Sequence, residues 1–362
     1  MERVTVGEPA DAAGLVGTMV PRMSTPTGDG EFAIRVEGLH KSFGKVHALR
    51  GIDFVVPRGS VLGVLGPNGA GKTTAVRILS TLLPPDSGRA FIEGHDVVRD
   101  AAAVRRAIAL AGQATAIQIE LTGRENLEIM GRLRHLDRQD VRVRTAELLE
   151  RFELVDAADR PAKTYSGGMK RRLDLAASLL GEPSVLYLDE PTTGLDPYGR
   201  LGMWDVIRQL ASQGTTILLT TQYLDEADEL ADNIIVIERG QVIAQGTSDQ
   251  LKDRVGGDVL EFTVVDRALV DAAVQAVAGL TDAEPRVDAE SRRIALQVGN
   301  RGSHALVDAV RRLDAAGVET DVLALHRPSL DDVFLAVTGH AAESEDGATR
   351  QRGRRPSAPG GT

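Results

Sequence analysis

Hydrophobic and polar positions change their period repeatedly along this chain. Between residues 32 and 255, short apolar runs rich in Val, Ile and Leu alternate with longer stretches whose apolar positions recur every three or four residues. The runs predict strands at 32–37, 52–56, 60–65, 90–93, 108–111, 185–188, 215–220 and 233–238. The longer stretches predict helices over 72–82, 124–135, 141–152, 168–180, 197–212 and 223–231. Strands interleaved in this way with helices call for a mostly parallel sheet covered on both faces.

After residue 255 the order changes. Strand 259–265, helix 267–278, strands 284–288 and 293–298, helix 304–315 and strand 319–324 follow one another, with a short amphipathic helix at 329–338. That βαββαβ order predicts a small ferredoxin-like α/β domain. Leu330, Val333 and Phe334 share one face of the last helix, and packing onto the domain's own sheet is the simplest use for them. Four segments result: a flexible leader at 1–31, a main α/β domain at 32–255, a small α/β domain at 256–340 and a disordered tail at 341–362. Met19 and Met23 leave open whether translation starts downstream of Met1.

Composition narrows the function classes. With 42% hydrophobic residues over 362 positions, the chain can bury full cores for two domains. A formal net charge of −10 offers no overall attraction to nucleic acid, and none is expected as a partner. The absence of cysteine excludes disulfides, thiolate metal sites and cysteine nucleophiles. No apolar stretch reaches the roughly 18–20 residues that a bilayer crossing needs. The run 15–20 is too short for a signal peptide. A cytoplasmic protein is expected, held at a membrane only through a partner.

Candidate chemistry begins at Gly66-Pro67-Asn68-Gly69-Ala70-Gly71-Lys72-Thr73, followed by Thr74, which fits the phosphate-loop pattern G-x-x-x-x-G-K-[ST]. An apolar strand precedes it and a helix follows, as the pattern requires. Its glycines let backbone N–H groups converge on phosphate oxygens at a helix N-terminus. Lys72 would reach the β and γ phosphates of ATP, and Thr73 would present its hydroxyl to Mg²⁺. The strand at 185–188 ends in Asp189 and Glu190. Asp189 is placed to hold Mg²⁺, directly or through water, and Glu190 to polarise an attacking water. Tyr165-Ser166-Gly167-Gly168-Met169, directly before a helix, makes a second phosphate nest, and Gly194-Leu195-Asp196 is a turn suited to a subunit contact.

With these motifs in order, residues 32–255 resemble the nucleotide-binding subunit of an ATP-binding cassette (ABC) transporter. The resemblance implies a P-loop NTPase domain of ABC type, with an antiparallel β subdomain and a helical subdomain. It makes Phe43 the aromatic that stacks on adenine, and Gln113 the glutamine that contacts Mg²⁺ and the membrane partner. It also makes Ser166–Met169 the signature loop that acts on the ATP of a second copy, in a head-to-tail homodimer with C₂ symmetry. Gly194–Asp196 becomes the dimer-contact turn, and 124–134 falls where this family meets its membrane subunit. The chain departs from the family pattern at Tyr165 and Met169, where Leu and Gln are usual, and at Gln222, where histidine is usual. Glutamine hydrogen-bonds but carries no proton near neutral pH, so slower or less pH-dependent turnover is expected.

These departures, together with Leu121-Thr122-Gly123-Arg124-Glu125-Asn126-Leu127 and Leu330-Asp331-Asp332-Val333-Phe334-Leu335, are similar to the daunorubicin resistance ATP-binding proteins (the DrrA type). That likeness implies an ATPase at the cytoplasmic side of the membrane, powering export of a hydrophobic drug through a separate integral membrane permease. The competing reading is a non-transport cassette ATPase acting in translation or DNA repair. Such proteins usually carry two cassettes, or coiled-coil or zinc-bearing insertions, and this sequence shows neither. Two side-chain readings complete the expectations: core or interface packing for Trp204, the single tryptophan, and a solvated helix face for Lys170, Arg171 and Arg172.

Overall fold

The computed structural model describes residues 31–112, 117–254, 257–281, 285–288, 291–299 and 302–338. Residues 1–30 of the expected leader, the tail and Gln113 lie outside the described residues. Two compact units divide between Gln245 and Gly246.

The first unit begins with β1 (Phe32–Phe43), β2 (Val46–Pro57), β3 (Val61–Leu65), α1 (Lys72–Leu79), β4 (Ser87–Ile92), β5 (His95–Asp96), α2 (Ala101–Ala107) and β6 (Ile108–Ala111). It continues through α3 (Gly123–Leu133), α4 (Arg138–Arg151), α5 (Gly167–Leu179), β7 (Val185–Asp189), α6 (Pro197–Ser212), β8 (Thr216–Thr221), α7 (Leu224–Leu230), β9 (Asn233–Glu238) and β10 (Gln241–Gly246). One sheet, ordered β2-β1-β4-β5, is antiparallel. The other, ordered β10-β9-β3-β8-β7-β6, is parallel from β9 to β6. Every residue of β3, β7 and β8 is buried, which is why these strands read as continuous apolar runs and not as alternating patterns.

Local sequence explains where the helices start. Thr122 opens α3 with a full capping box, its hydroxyl accepting from Glu125 N while the Glu125 carboxylate accepts from Thr122 N. Asp137 caps α4, and Asp196, followed by Pro197 at the first helical position, caps α6. Some elements differ from expectation. The first hairpin is longer on both sides, because β1 and β2 stay paired through several bulges out to Phe43 opposite Val46. The short helix α2 and the strands β5 and β10 had no clear periodicity. β10 returns beside β9 through Arg239 and Gly240, both with positive φ (48° and 79°), the backbone of a tight two-residue hairpin turn.

The second unit holds α8 (Ser248–Arg254), β11 (Asp258–Val264), α9 (Val270–Val277), β12 (Arg286–Asp288), β13 (Arg293–Gly299), α10 (Gly302–Ala315), β14 (Thr320–His326) and α11 (Leu330–Thr338). Its antiparallel sheet is ordered β12-β13-β11-β14, the split βαβ arrangement. Alternate residues Leu260, Phe262 and Val264 of β11 face the apolar sides of α9 and α10. The face of α11 that carries Leu330, Val333 and Phe334 is buried, but its chief packing partner is α8, whose Leu251 is fully buried, and not the sheet. The sheet's core is already filled by α9 and α10. Among the described residues no helix is long and apolar enough to cross a membrane.

Candidate functional site

The carboxyl ends of three neighbouring parallel strands converge at one edge of the six-stranded sheet. Leu65, at the end of β3, lies opposite Thr221 of β8, and Thr220 lies opposite Asp189 at the end of β7. The phosphate loop, Gln222 and the Asp189-Glu190 pair therefore leave the sheet side by side, at the edge where open α/β sheets bind their ligands. β6 extends the row by one strand and ends at Ala111, just before Gly112.

The loop from Gly66 to Gly71 is shaped by close backbone approaches. Gly66 has φ 153°, and a Cβ there would lie 2.2 Å from Ile237 O. Gly71 has φ 115°, and a Cβ would meet Ala48 O at 2.5 Å. No side chain other than hydrogen fits either position. Lys72 is buried, its Nζ donating to Gly66 O at 2.6 Å and Pro67 O at 3.2 Å, which places the ammonium inside the curve of the loop. The N-terminus of α1 has no side-chain cap and no acidic residue in its first turn. Its N–H groups and positive dipole end suit a phosphate. Pro67, Asn68, Gly69 and Thr73 are exposed, Ala70 is buried and Thr74 is half-buried. Phe43, half exposed at the tip of the first hairpin, has the Lys41 ammonium 5.8 Å from its ring centroid.

Asp189 is buried, and Thr220 Oγ1 donates to its Oδ1 across the strand pair. Sequence reading passed over Thr220, yet two consecutive threonines ending an apolar strand signal a polar task at that edge. Glu190 takes φ 49°, with its N–H bonded to Thr220 O at 2.9 Å and its Oε2 accepting from Thr193 Oγ1 at 3.4 Å. A non-glycine residue held at positive φ at a strand end is locally strained. Two tight turns, Thr193 N to Glu190 O and Leu195 N to Thr192 O, lead from there to Gly194–Asp196. Asp196 Oδ1 then accepts from Gly199 N at 2.9 Å, starting α6.

Ser166 starts α5 in the same manner, its Oγ accepting from Met169 N at 3.2 Å, with Gly167 and Gly168 at the helix tip. Tyr165, which precedes this tip, is buried and donates from its hydroxyl to Ala157 O at 2.6 Å. Arg171, one turn further, corrects the expectation of a solvated face. Its side chain is 12% exposed and bonds to carbonyls of Gly112, Asp189 and Pro191. Arg172 is likewise largely covered and pairs with Glu153 at 2.9 Å.

Behind the cluster lies a group that the sequence did not signal. Glu226 is fully buried, and burial pushes its carboxyl above the usual carboxylate range; hydroxyls of Thr221 and Thr192 and the Trp204 indole oppose that shift without cancelling it. Trp204 itself packs in the core, as its burial requires.

Residues 49–193 match the family model described as ABC transporter. The chain is 55% identical over 307 residues to the daunorubicin resistance ATP-binding protein DrrA3 of Streptomyces coeruleorubidus, covering 85% of this chain and 96% of that protein. It is 48% identical to the doxorubicin resistance ATP-binding protein DrrA of Mycobacterium tuberculosis, over 87% of this chain and 96% of that one. Among solved structures, cbiO1 of Clostridium perfringens, part of an ABC transporter complex, superposes with a TM-score of 0.57 at 30% identity. That match covers 61% of this chain and 90% of cbiO1.

Proposed function

The chain belongs to the ATP-binding subunits of ABC transporters, within the daunorubicin and doxorubicin resistance group, and on that premise we propose that it powers efflux of a hydrophobic drug through a separate membrane permease. As a member of that family it binds nucleotide and is an ATPase. The observation that carries the proposal is the side-by-side exit of the phosphate loop, Gln222 and Asp189-Glu190 from one sheet edge.

In this reading the β and γ phosphates lie in the Gly66–Gly71 curve at the α1 N-terminus, with Lys72 against them and Phe43 stacked on the base. Oxygen donors from Thr73 and the buried Asp189 would form the hard ligand set that magnesium takes, and Gln113 would add a further oxygen. When bound, the ion neutralises phosphate charge. Thr220 holds Asp189 in place by donating from its hydroxyl to Oδ1. Glu190 orients the attacking water, and Gln222, from the neighbouring strand end, hydrogen-bonds near the γ-phosphate and steadies that carboxylate. Catalysis of this kind rests on positioning and charge stabilisation more than on covalent chemistry.

Ser166, Gly167, Gly168 and Met169 do not complete their own chain's site in this proposal. They act on the nucleotide of a second copy in a C₂ homodimer, with Gly194, Leu195 and Asp196 at the contact. The fit of Ser166 as a helix cap supports this, since the N-terminus whose Met169 N–H donates to the serine oxygen is the kind of helix end that suits a phosphate. ATP then joins the two copies and hydrolysis releases them. The proposed site of action is the inner face of the membrane, with no nucleic-acid partner.

The test measures ATP hydrolysis by the full chain with and without its candidate permease in lipid, alongside Glu190→Gln. Stimulation by the permease, lost in the variant, is the expected result. Strong hydrolysis indifferent to any permease would turn the assignment to the non-transport cassette ATPases.

A further inference from the structure

Arg171 lies on α5, five residues past Ser166, and its guanidinium reaches two other segments. Nη1 donates to Gly112 O at 2.6 Å, Nε to Pro191 O at 2.9 Å and Nη2 to Asp189 O at 3.3 Å and, more loosely, to Glu190 O at 3.5 Å. The carboxylate of Asp174, one turn along and itself buried, pairs with Nη1 at 3.5 Å. Burial draws the guanidinium's pKa down, with Asp174 foremost among the carboxylates that oppose the shift, and an arginine so placed stays charged.

A buried cation is tolerated only where its donors are met, and here most of them are met by backbone. The choice of carbonyls is informative. Asp189 and Pro191 bracket Glu190, whose φ of 49° is a conformation that its surroundings must hold in place. Gly112 is the residue that follows β6, and it precedes Gln113. The planar fork of arginine can serve several carbonyls at once, whereas the ammonium of lysine offers one point. Arg171 thus ties the helix that starts at Ser166 to the backbone on both sides of Glu190 and to the end of β6.

We propose that Arg171 is a positioning residue for ATP hydrolysis, setting the aim of Glu190 through the carbonyls of Asp189 and Pro191 and linking that aim to α5 and Gly112. A shift of α5 moves Glu190 and the β6 exit together. The proposal rests on the assignment of Glu190 as the residue that orients water, and the test separates the two.

The full chain is compared with Arg171→Ala, Arg171→Lys and Glu190→Gln, following ATP turnover, equilibrium binding of a fluorescent ATP analogue, and far-UV circular dichroism. The expected result for Arg171→Ala is a kcat about 10–100-fold lower, with KM for ATP and analogue affinity within about twofold of the parent. Arg171→Lys falls between, and added methylguanidinium restores part of the Arg171→Ala rate without accelerating the parent. Parent-like kcat in both Arg171 variants, while Glu190→Gln is inactive, overturns this proposal alone. Parent-like turnover in Glu190→Gln overturns it together with the site assignment. Should Arg171→Ala fail to fold, Arg171→Lys decides by the same split between kcat and KM. Loss of nucleotide binding in parallel with turnover, or misfolding of both variants, assigns Arg171 to the fold and overturns the positioning role.

Discussion

Trp204 Nε1 donates to Glu226 Oε1 at 3.2 Å, joining the helix that follows Asp196 to the helix that follows Gln222. The other carboxylate oxygen, Oε2, has no well-formed partner among the described residues, and neither does the nearby Thr192 hydroxyl. Burial therefore raises the Glu226 pKa above its ordinary 4.5. The sign follows by linkage. The folded state keeps this proton at a pH where the unfolded chain has released it, so the residue's contribution is neutral below about 4.5 and destabilising as pH rises toward the folded value. Glu226→Gln keeps an acceptor for Trp204 and removes the charge. Its Tm should exceed the parent's at pH 7 and 8 and approach it near pH 4.5, in paired thermal melts. An equal Tm difference at every pH would contradict this account.

Tyr187 stands in the middle of β7, fully buried, with its hydroxyl unpartnered among the described residues. Burial drives the phenol well above its ordinary pKa of 10, so it stays neutral and its cost is an unmet hydrogen bond. Tyr187→Phe keeps the ring and removes that cost. Denaturant unfolding should show about 1 kcal/mol of added stability, within the range expected for relieving an unsatisfied polar group. Loss of stability would reveal a partner for this hydroxyl.

Much of the cassette was legible in the sequence because its elements obey single periods. The runs at Val61–Leu65 and Val185–Asp189 are buried on both faces, and the phosphate loop must sit between a strand and a helix. The strand-edge placement of Lys72, Asp189 and Glu190 was legible too, since it follows from their neighbours in the chain. Arg171 and Glu226 were not. On a helix each reads as an ordinary charged residue, and only the topology that brings Gly112, Asp189 and Pro191 around one, and Trp204 and Thr192 around the other, gives them a task. Packing of α11 on α8 was missed for a similar reason, because an apolar face at i, i+3, i+4 does not name its partner.

Glu190→Gln should separate binding from chemistry. Its backbone position, fixed by the bond from Glu190 N to Thr220 O, is indifferent to the side-chain change. Nucleotide affinity is expected within about twofold of the parent, while turnover falls by about 100-fold or more, in line with loss of a group that acts on the attacking water. On a sizing column with Mg-ATP the variant should elute as a dimer, and without nucleotide as a monomer. A monomer at saturating Mg-ATP would argue against the proposed role of ATP in joining two copies.

Gln222 follows Thr221, the last residue of β8, between the phosphate loop and Glu190. Its amide donates and accepts hydrogen bonds but does not titrate, whereas a histidine there would exchange a proton with an ordinary pKa near ~6.5. The parent enzyme's kcat should therefore vary little between pH 6 and 8 beyond the effect of ATP's own ionisation. Gln222→His should acquire an inflection in that range, measured at saturating Mg-ATP. A parent profile already governed by a group near ~6.5 would mean that another residue carries the proton-dependent step. Among the described residues, Glu226 is a candidate close to the β8 end. Glu226 touches the β8 end through Thr221, but its pKa is raised by burial beneath the site, and it faces Trp204. Combining Gln222→His with Glu226→Gln would settle which group an inflection belongs to, because only the histidine-dependent one survives in the double variant.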